Sequence, residues 1–205
     1  MRRVGFAWWE LLAAIGCLGI VAGFFIPASR PIGCPRPPLC STNLKQISTA
    51  LMQYNHDYNS RLPPVGRVTN RSLNQGYGWA DSLWPYIKNM NVYKCPQGYA
   101  EAHDHTDYYF NPNLSGFQLK KLPQVSLTPQ NIIVFGDGND TETVTTSAYN
   151  LNALPLNWIS NPKSPAYRHN GMANYAFLDG HVKALPPDQI TNEALVSGKP
   201  TFAVR

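Results

Sequence analysis

Charged residues are scarce in this sequence. Asp, Glu, Lys and Arg together make up 14% of the 205 residues, against about a quarter in an average globular protein. The net charge is +5, yet the cations are scattered, and the pairs Arg2–Arg3 and Lys120–Lys121 are their densest clusters. Because nucleic-acid binding requires a basic stripe or patch, we expect no nucleic-acid partner.

Catalytic and metal-binding patterns are also missing. The sequence has no G-x-S-x-G motif for a hydrolase nucleophile and no His and Cys spacing typical of zinc sites. We therefore predict a chain that is not an enzyme, with no catalytic residues and no required cofactor. Calcium is the one ion that the residues suggest, because Asp137, Asn139 and Asp140 offer oxygen ligands in a loop. An ordinary solvated turn is the alternative.

One long apolar run lies near the N-terminus. Residues Phe6–Ile26 form a stretch of 21 residues with a single charge, Glu10. As a helix, this run spans roughly 30 Å, the thickness of the apolar part of a bilayer. Arg2–Arg3 precedes it, which favours a cytoplasmic N-terminus. We predict a single inner-membrane helix at 6–26, with the C-terminal domain outside the cytoplasm. A secretory signal peptide cleaved near Ala28-Ser29 is the alternative.

Glu10 is unusual because a carboxylate inside a bilayer costs about 2.5–3.5 kcal/mol on insertion scales. The stretch Gly5–Leu12 resembles the prepilin cleavage and methylation motif of type IV pilins and type II secretion pseudopilins: a short basic leader, Gly, Phe, and Glu four residues later. The resemblance implies a leader peptide at 1–5 and cleavage between Gly5 and Phe6 by prepilin peptidase. It also implies methylation of the Phe6 amine, and pairing of Glu10 with the N-terminal amine of a neighbouring subunit.

A proline-rich connector follows the apolar run. Five prolines between residues 27 and 40 prevent a continuous helix, because each removes a hydrogen-bond donor and clashes with the preceding turn. The connector at 27–39 should therefore be extended, and a new helix should begin near Ser41 or Thr42. Apolar residues then recur at three- and four-residue steps, which predicts one buried face; they are Leu44, Ile47, Leu51 and Tyr54.

The rest of the chain, within a domain at 40–205, alternates short aromatic and β-branched runs with turn residues. The predicted strands are Val92–Lys94, Tyr108–Phe110, Ile132–Phe135, Tyr175–Leu178 and His181–Ala184. A short helix is predicted over Trp79–Lys88. Asp179-Gly180 suggests a two-residue type I′ turn, with Val182 and Ala184 lying across from Tyr175 and Phe177. Strands after helices favour an α+β fold, here an amphipathic helix packed on a small antiparallel sheet.

A second set of motifs carries a second resemblance. The segments Cys40–Ile47 and Tyr93–Pro96 resemble the C-x-x-N-L-K-Q-I and aromatic-x-C-P stretches of a bacterial pseudopilin-like family, DUF1559. His169, followed nine residues later by Asp179 and Gly180, reproduces its H-x9-D-G motif. Because both residues recur in one motif, we expect His169 to order the turn before the hairpin by bonding the backbone or Asp179.

Four cysteines are present, and Cys17 lies inside the apolar run. The other three are expected in an oxidising compartment, where disulfides persist. Cys40 and Cys95 match the family's cysteines, so the resemblance implies a Cys40–Cys95 disulfide. Cys34–Cys40 is the alternative pairing.

Together these features predict a non-catalytic pseudopilin or minor pilin of a type II secretion or type IV pilus-like assembly. The expected partners are the inner membrane, prepilin peptidase and other pilin or pseudopilin subunits. A membrane-tethered binding module that does not polymerise is the alternative, because the proline break interrupts the helical stem of a filament.

Overall fold

The computed structural model describes residues 8–9, 39–70, 75–98, 106–121, 128–140, 145–193 and 198–204. Backbone contacts divide the chain into two units, Met1–Arg36 and Pro37–Arg205. In the first unit only Trp8 and Trp9 are described; both are helical and exposed. The predicted membrane helix and the prepilin motif, with Gly5, Phe6 and Glu10, otherwise lie outside the described residues. Among the residues that the structure does describe, no helix is long and apolar enough to cross a membrane.

The second unit is an α+β domain, as predicted. Its helices are α1 (Leu39–Asp57), α2 (Trp79–Ile87) and α3 (Leu156–Ser160). Its strands are β1 (Gly66–Asn70), β2 (Gln75–Gly78), β3 (Tyr108–Phe110), β4 (Ile133–Asp137), β5 (Ala173–Phe177) and β6 (Val182–Leu185). The first two strands form an antiparallel hairpin, and the other four form an antiparallel sheet in the order β3-β4-β5-β6.

Helix α1 begins two residues before the predicted cap at Ser41. Proline is tolerated in the first turn of a helix, because the N–H groups there have no acceptor within the helix. The proline-rich connector therefore does not prevent the helix from beginning at Leu39. Asn59 and Ser60 both have positive φ and end the helical segment, as their sequence suggested. The predicted apolar stripe is buried, and α1 packs on β5, β6 and α2.

Both faces of the four-stranded sheet are covered by apolar side chains. The core on the α1 face includes Leu44, Ile47, Trp79, Phe110, Phe135 and Ala176. The core on the opposite face includes Tyr109, Ile133, Trp158, Tyr175, Phe177 and Phe202. The register of β4 shifts between Ile133 and Phe135, and this bulge places Val134 and Phe135 in the same core.

The β5–β6 connection differs from the predicted type I′ turn. Phe177 N donates to His181 O (2.9 Å) and Gly180 N donates to Phe177 O (2.8 Å), and of the two turn residues only Gly180 has a positive φ, 85°. This is a three-residue loop in which glycine takes the left-handed position. The longer loop shifts the pairing by one residue, so Val182 pairs with Ala176.

Two other elements test the sequence predictions. The predicted helix over Trp79–Lys88 is confirmed as α2, which ends where Lys88 takes a left-handed conformation. The predicted strand at Val92–Lys94 is wrong, because residues Met90–Tyr93 form a 3-10 turn. The side chain of Asn89 accepts a hydrogen bond from the Asn91 amide, and this local bond competes with an extended backbone.

Candidate functional site

A disulfide joins the beginning of α1 to the segment after the 3-10 turn. Cys40 and Cys95 are bonded, with their Cα atoms 5.0 Å apart, and both side chains are buried. The Cys95 amide donates to Oδ2 of Asp107 at 2.7 Å, which fixes the backbone beside the sulfur. The Cys40–Cys95 pairing is confirmed, and the alternative Cys34–Cys40 pairing is wrong.

His169 lies against this disulfide. Its Nε2 is 3.7 Å from Sγ of Cys95 and 3.1 Å from Oδ2 of Asp137, and its Nδ1 is 2.6 Å from Oε1 of Gln97. Each ring nitrogen of His169 therefore faces a side-chain oxygen. We call Cys40, Cys95, Asp137 and His169 the cysteine–histidine cluster.

The role expected for His169 changes accordingly. Its backbone exchanges hydrogen bonds with Met172, at 2.8 and 3.3 Å, so it does shape the turn before β5. Its side chain, however, contacts Asp137 and Gln97, and the expected bond to Asp179 is not formed. Asp179 instead accepts from the amide and ring of His181, at 3.1 and 2.6 Å. The two halves of the H-x9-D-G motif thus act in different places.

Asp137 ends strand β4 and is 1% exposed. Its Oδ2 accepts from the backbone amide of Asn174 at 2.6 Å and from the Asn174 side chain at 3.0 Å. Among the described residues, its Oδ1 has no hydrogen-bond partner. A buried carboxylate is costly without compensation, and here the compensation comes from Asn174 and His169.

Three tyrosine hydroxyls lie in the surroundings of this carboxylate. Burial raises the pKa of Tyr108, Tyr109 and Tyr175 well above the ordinary value, and the negative charge of Asp137 raises it further. These phenols therefore stay neutral. They therefore add no charge to the surroundings of Asp137 and His169.

The loop that suggested calcium does not gather its oxygen ligands around one point. Asn139 Nδ2 donates to Oδ1 of Asp107 at 3.0 Å, and Asp140 Oδ2 accepts from Trp158 Nε1 at 3.0 Å, whereas Asp137 faces His169. Residues 141–144 lie outside the described part of the chain, so calcium at this loop stays a prediction.

The sequence motifs meet in space around the start of α1. Asn43 Nδ2 donates to the carbonyl oxygen of Lys94 at 2.8 Å, beside the disulfide. Lys45 Nζ donates to the carbonyl oxygen of Gly180 at 2.7 Å, in the β5–β6 loop. The polar residues of the C-x-x-N-L-K stretch therefore fasten α1 to the two other motifs. This arrangement assigns the motifs a role in holding the domain together.

Sequence reasoning found Cys40, Cys95 and His169 but missed Gln97, which contacts the ring of His169, and Asn174, which donates to Asp137. Gln97 and Asn174 carried no motif signal, since one follows Cys95 in a turn and the other occupies an ordinary strand position. Asp137 was predicted only as a calcium ligand, because an acidic residue at the end of a buried strand matches both a metal loop and a buried pair with histidine; its contact with His169 was not predicted.

Residues 36–107 match the model of a family described as a protein of unknown function, DUF1559. The resemblance that the motifs suggested is therefore confirmed over about a third of the chain. The matched segment contains Cys40, Asn43 and Cys95, whereas the prepilin motif and the H-x9-D-G motif lie beyond it. Neither a curated protein nor a solved structure matches the chain.

Proposed function

We propose that this chain is a non-catalytic pseudopilin-like or minor-pilin-like subunit of a type II secretion or type IV pilus-like assembly. The observation that carries the proposal is the disulfide that attaches the first turn of α1 to the rest of the domain. Cys40, only four residues beyond the end of the first unit, is covalently joined to Cys95. A subunit that is drawn into a filament by its N-terminal helix needs a domain that cannot detach where the chain enters it.

The N-terminal motif supplies the rest of the proposal. The apolar helix at 6–26 waits in the inner membrane, prepilin peptidase cuts between Gly5 and Phe6, and the new Phe6 amine is methylated. Glu10 then pairs with the N-terminal amine of a neighbouring subunit. That pairing offsets the cost of a carboxylate in an apolar setting, so it fixes the axial position of one subunit against the next.

The cluster is consistent with a role in stability. Cys40, Cys95, Asp137 and His169 are each at most 8% exposed, which denies a substrate direct access to them. The disulfide joins α1 to the segment after the 3-10 turn, and the contacts of His169 with Cys95 and Asp137 join that segment to the sheet. A buried and largely satisfied network of this kind rigidifies a single arrangement.

Substitution of Glu10 tests the proposal. Glu10→Ala should insert into the membrane as well as the wild type, because it removes a charge from an apolar helix, but should lower the yield of assembled subunits. Glu193→Ala, which removes an exposed carboxylate of the domain, is the matched control and should assemble normally. Membrane fractionation and the yield of sheared or cross-linked filaments are the measurements. Equal yields from Glu10→Ala and the wild type would reject the proposal.

A membrane-tethered binding module is the second candidate, favoured by a groove between α1 and α2. The groove has a volume of about 290 Å³ and is lined by Thr42, Lys45, Gln46, Thr49, Ala50, Gln53, Tyr86 and Ile87. Amide, hydroxyl and aromatic groups together are typical of a site for a polar ligand. The two candidates differ in the size of the particle extracted from the membrane: a tethered module stays a monomer, whereas a pilin-like subunit is recovered in multimers.

A further inference from the structure

We infer that reduction of the Cys40–Cys95 disulfide converts the cysteine–histidine cluster into a zinc site. The two thiolates and Nε2 of His169 are three of the ligands, and the carboxylate of Asp137 is the fourth. The sulfur and nitrogen atoms of Cys40, Cys95 and His169 already lie within 4.8 Å of one another. Two cysteines, a histidine and a carboxylate are a ligand set that zinc accepts in proteins.

Two of the distances between ligand atoms are close to those around a tetrahedral ion. Bonds of about 2.3 Å to sulfur and 2.0–2.1 Å to nitrogen place neighbouring sulfur and nitrogen ligands roughly 3.6 Å apart, and nitrogen and oxygen ligands roughly 3.3 Å apart. Nε2 of His169 is 3.7 Å from Sγ of Cys95 and 3.1 Å from Oδ2 of Asp137. The remaining adjustments are at the two sulfurs, which must separate to roughly 3.8 Å once their bond is broken, and at Asp137. Its carboxylate is not among the ligand atoms that lie within 4.8 Å of one another, so it must turn toward the ion.

The groups behind the ligands are those that a metal site uses to orient them. Nδ1 of His169 faces Oε1 of Gln97 at 2.6 Å, so a proton on Nδ1 leaves the lone pair of Nε2 for the ion. Asn174 holds Oδ2 of Asp137 with two hydrogen bonds. Oδ1 of the same carboxylate is buried and has no hydrogen-bond partner in the described part of the chain, so this oxygen can turn toward a cation without losing a hydrogen bond there.

The conversion balances with a dithiol as reductant. A thiolate of the dithiol attacks the disulfide, the sulfur–sulfur bond breaks, and the second thiol completes the exchange, so the dithiol is oxidised to its disulfide while Cys40 and Cys95 become thiols. Zinc binding then displaces one proton from each thiol and the proton on Nε2 of His169. The ion replaces the covalent bond as the link between α1 and the segment after the 3-10 turn.

Cobalt binding to the full-length chain in detergent tests the site, because cobalt reports thiolate ligation and tetrahedral geometry through its absorption bands. The chain carries Cys17→Ser and Cys34→Ser, so that Cys40 and Cys95 are the remaining thiols, and is reduced with a phosphine. We expect the reduced chain to bind one cobalt ion with thiolate charge-transfer bands, zinc to displace it, and the oxidised chain to bind none. Absence of such bands in the reduced chain would overturn the inference.

Variants separate this site from adventitious thiol binding. His169→Ala should weaken cobalt binding at least about tenfold, by analogy with losses at supporting residues of metal sites, whereas His181→Ala should leave it unchanged. Equal binding by His169→Ala and the wild type would contradict the inference. X-ray absorption of the zinc-loaded chain does not depend on how the variants fold. It should show two sulfur and two nitrogen or oxygen ligands, and any other ratio would reject the ligand set.

Discussion

Nε2 of His169 lies 3.1 Å from Oδ2 of Asp137, and both side chains are withdrawn from solvent. His169 precedes β5 and Asp137 ends β4, so the contact ties the turn before one strand to the end of its neighbour. It also places the imidazole against Sγ of Cys95. Sheet, turn and disulfide are therefore joined through one ring.

Removing the imidazole ring of His169 should lower the free energy of unfolding. His169→Ala leaves the buried carboxylate of Asp137 without its imidazole partner, and removing one partner of a buried charged group typically costs about 3 kcal/mol. Urea unfolding of the domain measures the loss in free energy of unfolding. His56→Ala is the matched control, because the His56 side chain is 90% exposed, and its effect should be near zero.

A double variant separates charge from packing. Adding Asp137→Asn to His169→Ala removes the uncompensated charge while keeping an oxygen that can accept from Asn174. The double variant should be more stable than His169→Ala alone, because an uncompensated buried charge lowers the free energy of unfolding more than the lost packing does. A double variant that is less stable than His169→Ala would show that the pair is not coupled in this way.

The disulfide should contribute through the unfolded state. It joins residues that are 55 apart in the sequence, and closing a loop of that length is worth roughly 4 kcal/mol in the chain-entropy account. Cys40→Ser with Cys95→Ser should lower the free energy of unfolding by about that amount, measured without reductant. Cys34→Ser should leave both the stability and the Cys40–Cys95 peptide in a non-reduced digest unchanged.

Gly78 is required by a close backbone approach. A Cβ at this position would collide with the carbonyl group of Ser147, and a backbone neighbour cannot move aside as a flexible side chain does. Gly78→Ala should therefore cost about 3 kcal/mol or more. Gly116→Ala is the comparison, since a Cβ there meets open space and only its φ of +63° opposes it, at about 1–2 kcal/mol. Thermal unfolding that ranks the two variants the other way would contradict this reading.

Asp179 makes the β5–β6 loop sensitive to acid. Burial by itself raises the pKa of Asp179, but hydrogen bonds from the amide and ring of His181 outweigh it and hold the pKa below the ordinary value. Because the folded pKa is the lower one, the stabilisation is present above the unfolded value of about 3.9 and is lost as the pH falls through the folded pKa. Carboxyl NMR titration should find this low pKa, and His181→Ala should raise it.

The sequence was sufficient for elements that local chemistry decides. Tyr108–Phe110 is the strand that its aromatic run predicted, and α2 ends one residue before its predicted limit. The pairing register of β5 and β6 could not be predicted as well from the sequence. Asp179-Gly180 identified the hairpin, but the loop has three residues, and one residue of slip moves Val182 opposite Ala176 instead of Phe177.

The candidate site also combines residues that local sequence motifs identify with residues that only tertiary packing brings together. The match of Cys40 and Cys95 to the cysteines of the family that the chain resembles implied the right disulfide. No local pattern marks Gln97 or Asn174, because their roles depend on which buried groups the folded sheet brings beside them. Asp137 could be recognised as important, but its partner His169 is set by tertiary packing and not by periodicity.

The mass of the mature N-terminus tests the central claim most directly. If the chain is a pilin-like subunit, intact mass and N-terminal peptide mapping of the membrane-extracted protein should find N-methylated Phe6 as the first residue, with residues 1–5 removed. A mature chain that retains Met1, or one trimmed beyond Ile26 and released as a free domain, would contradict the account.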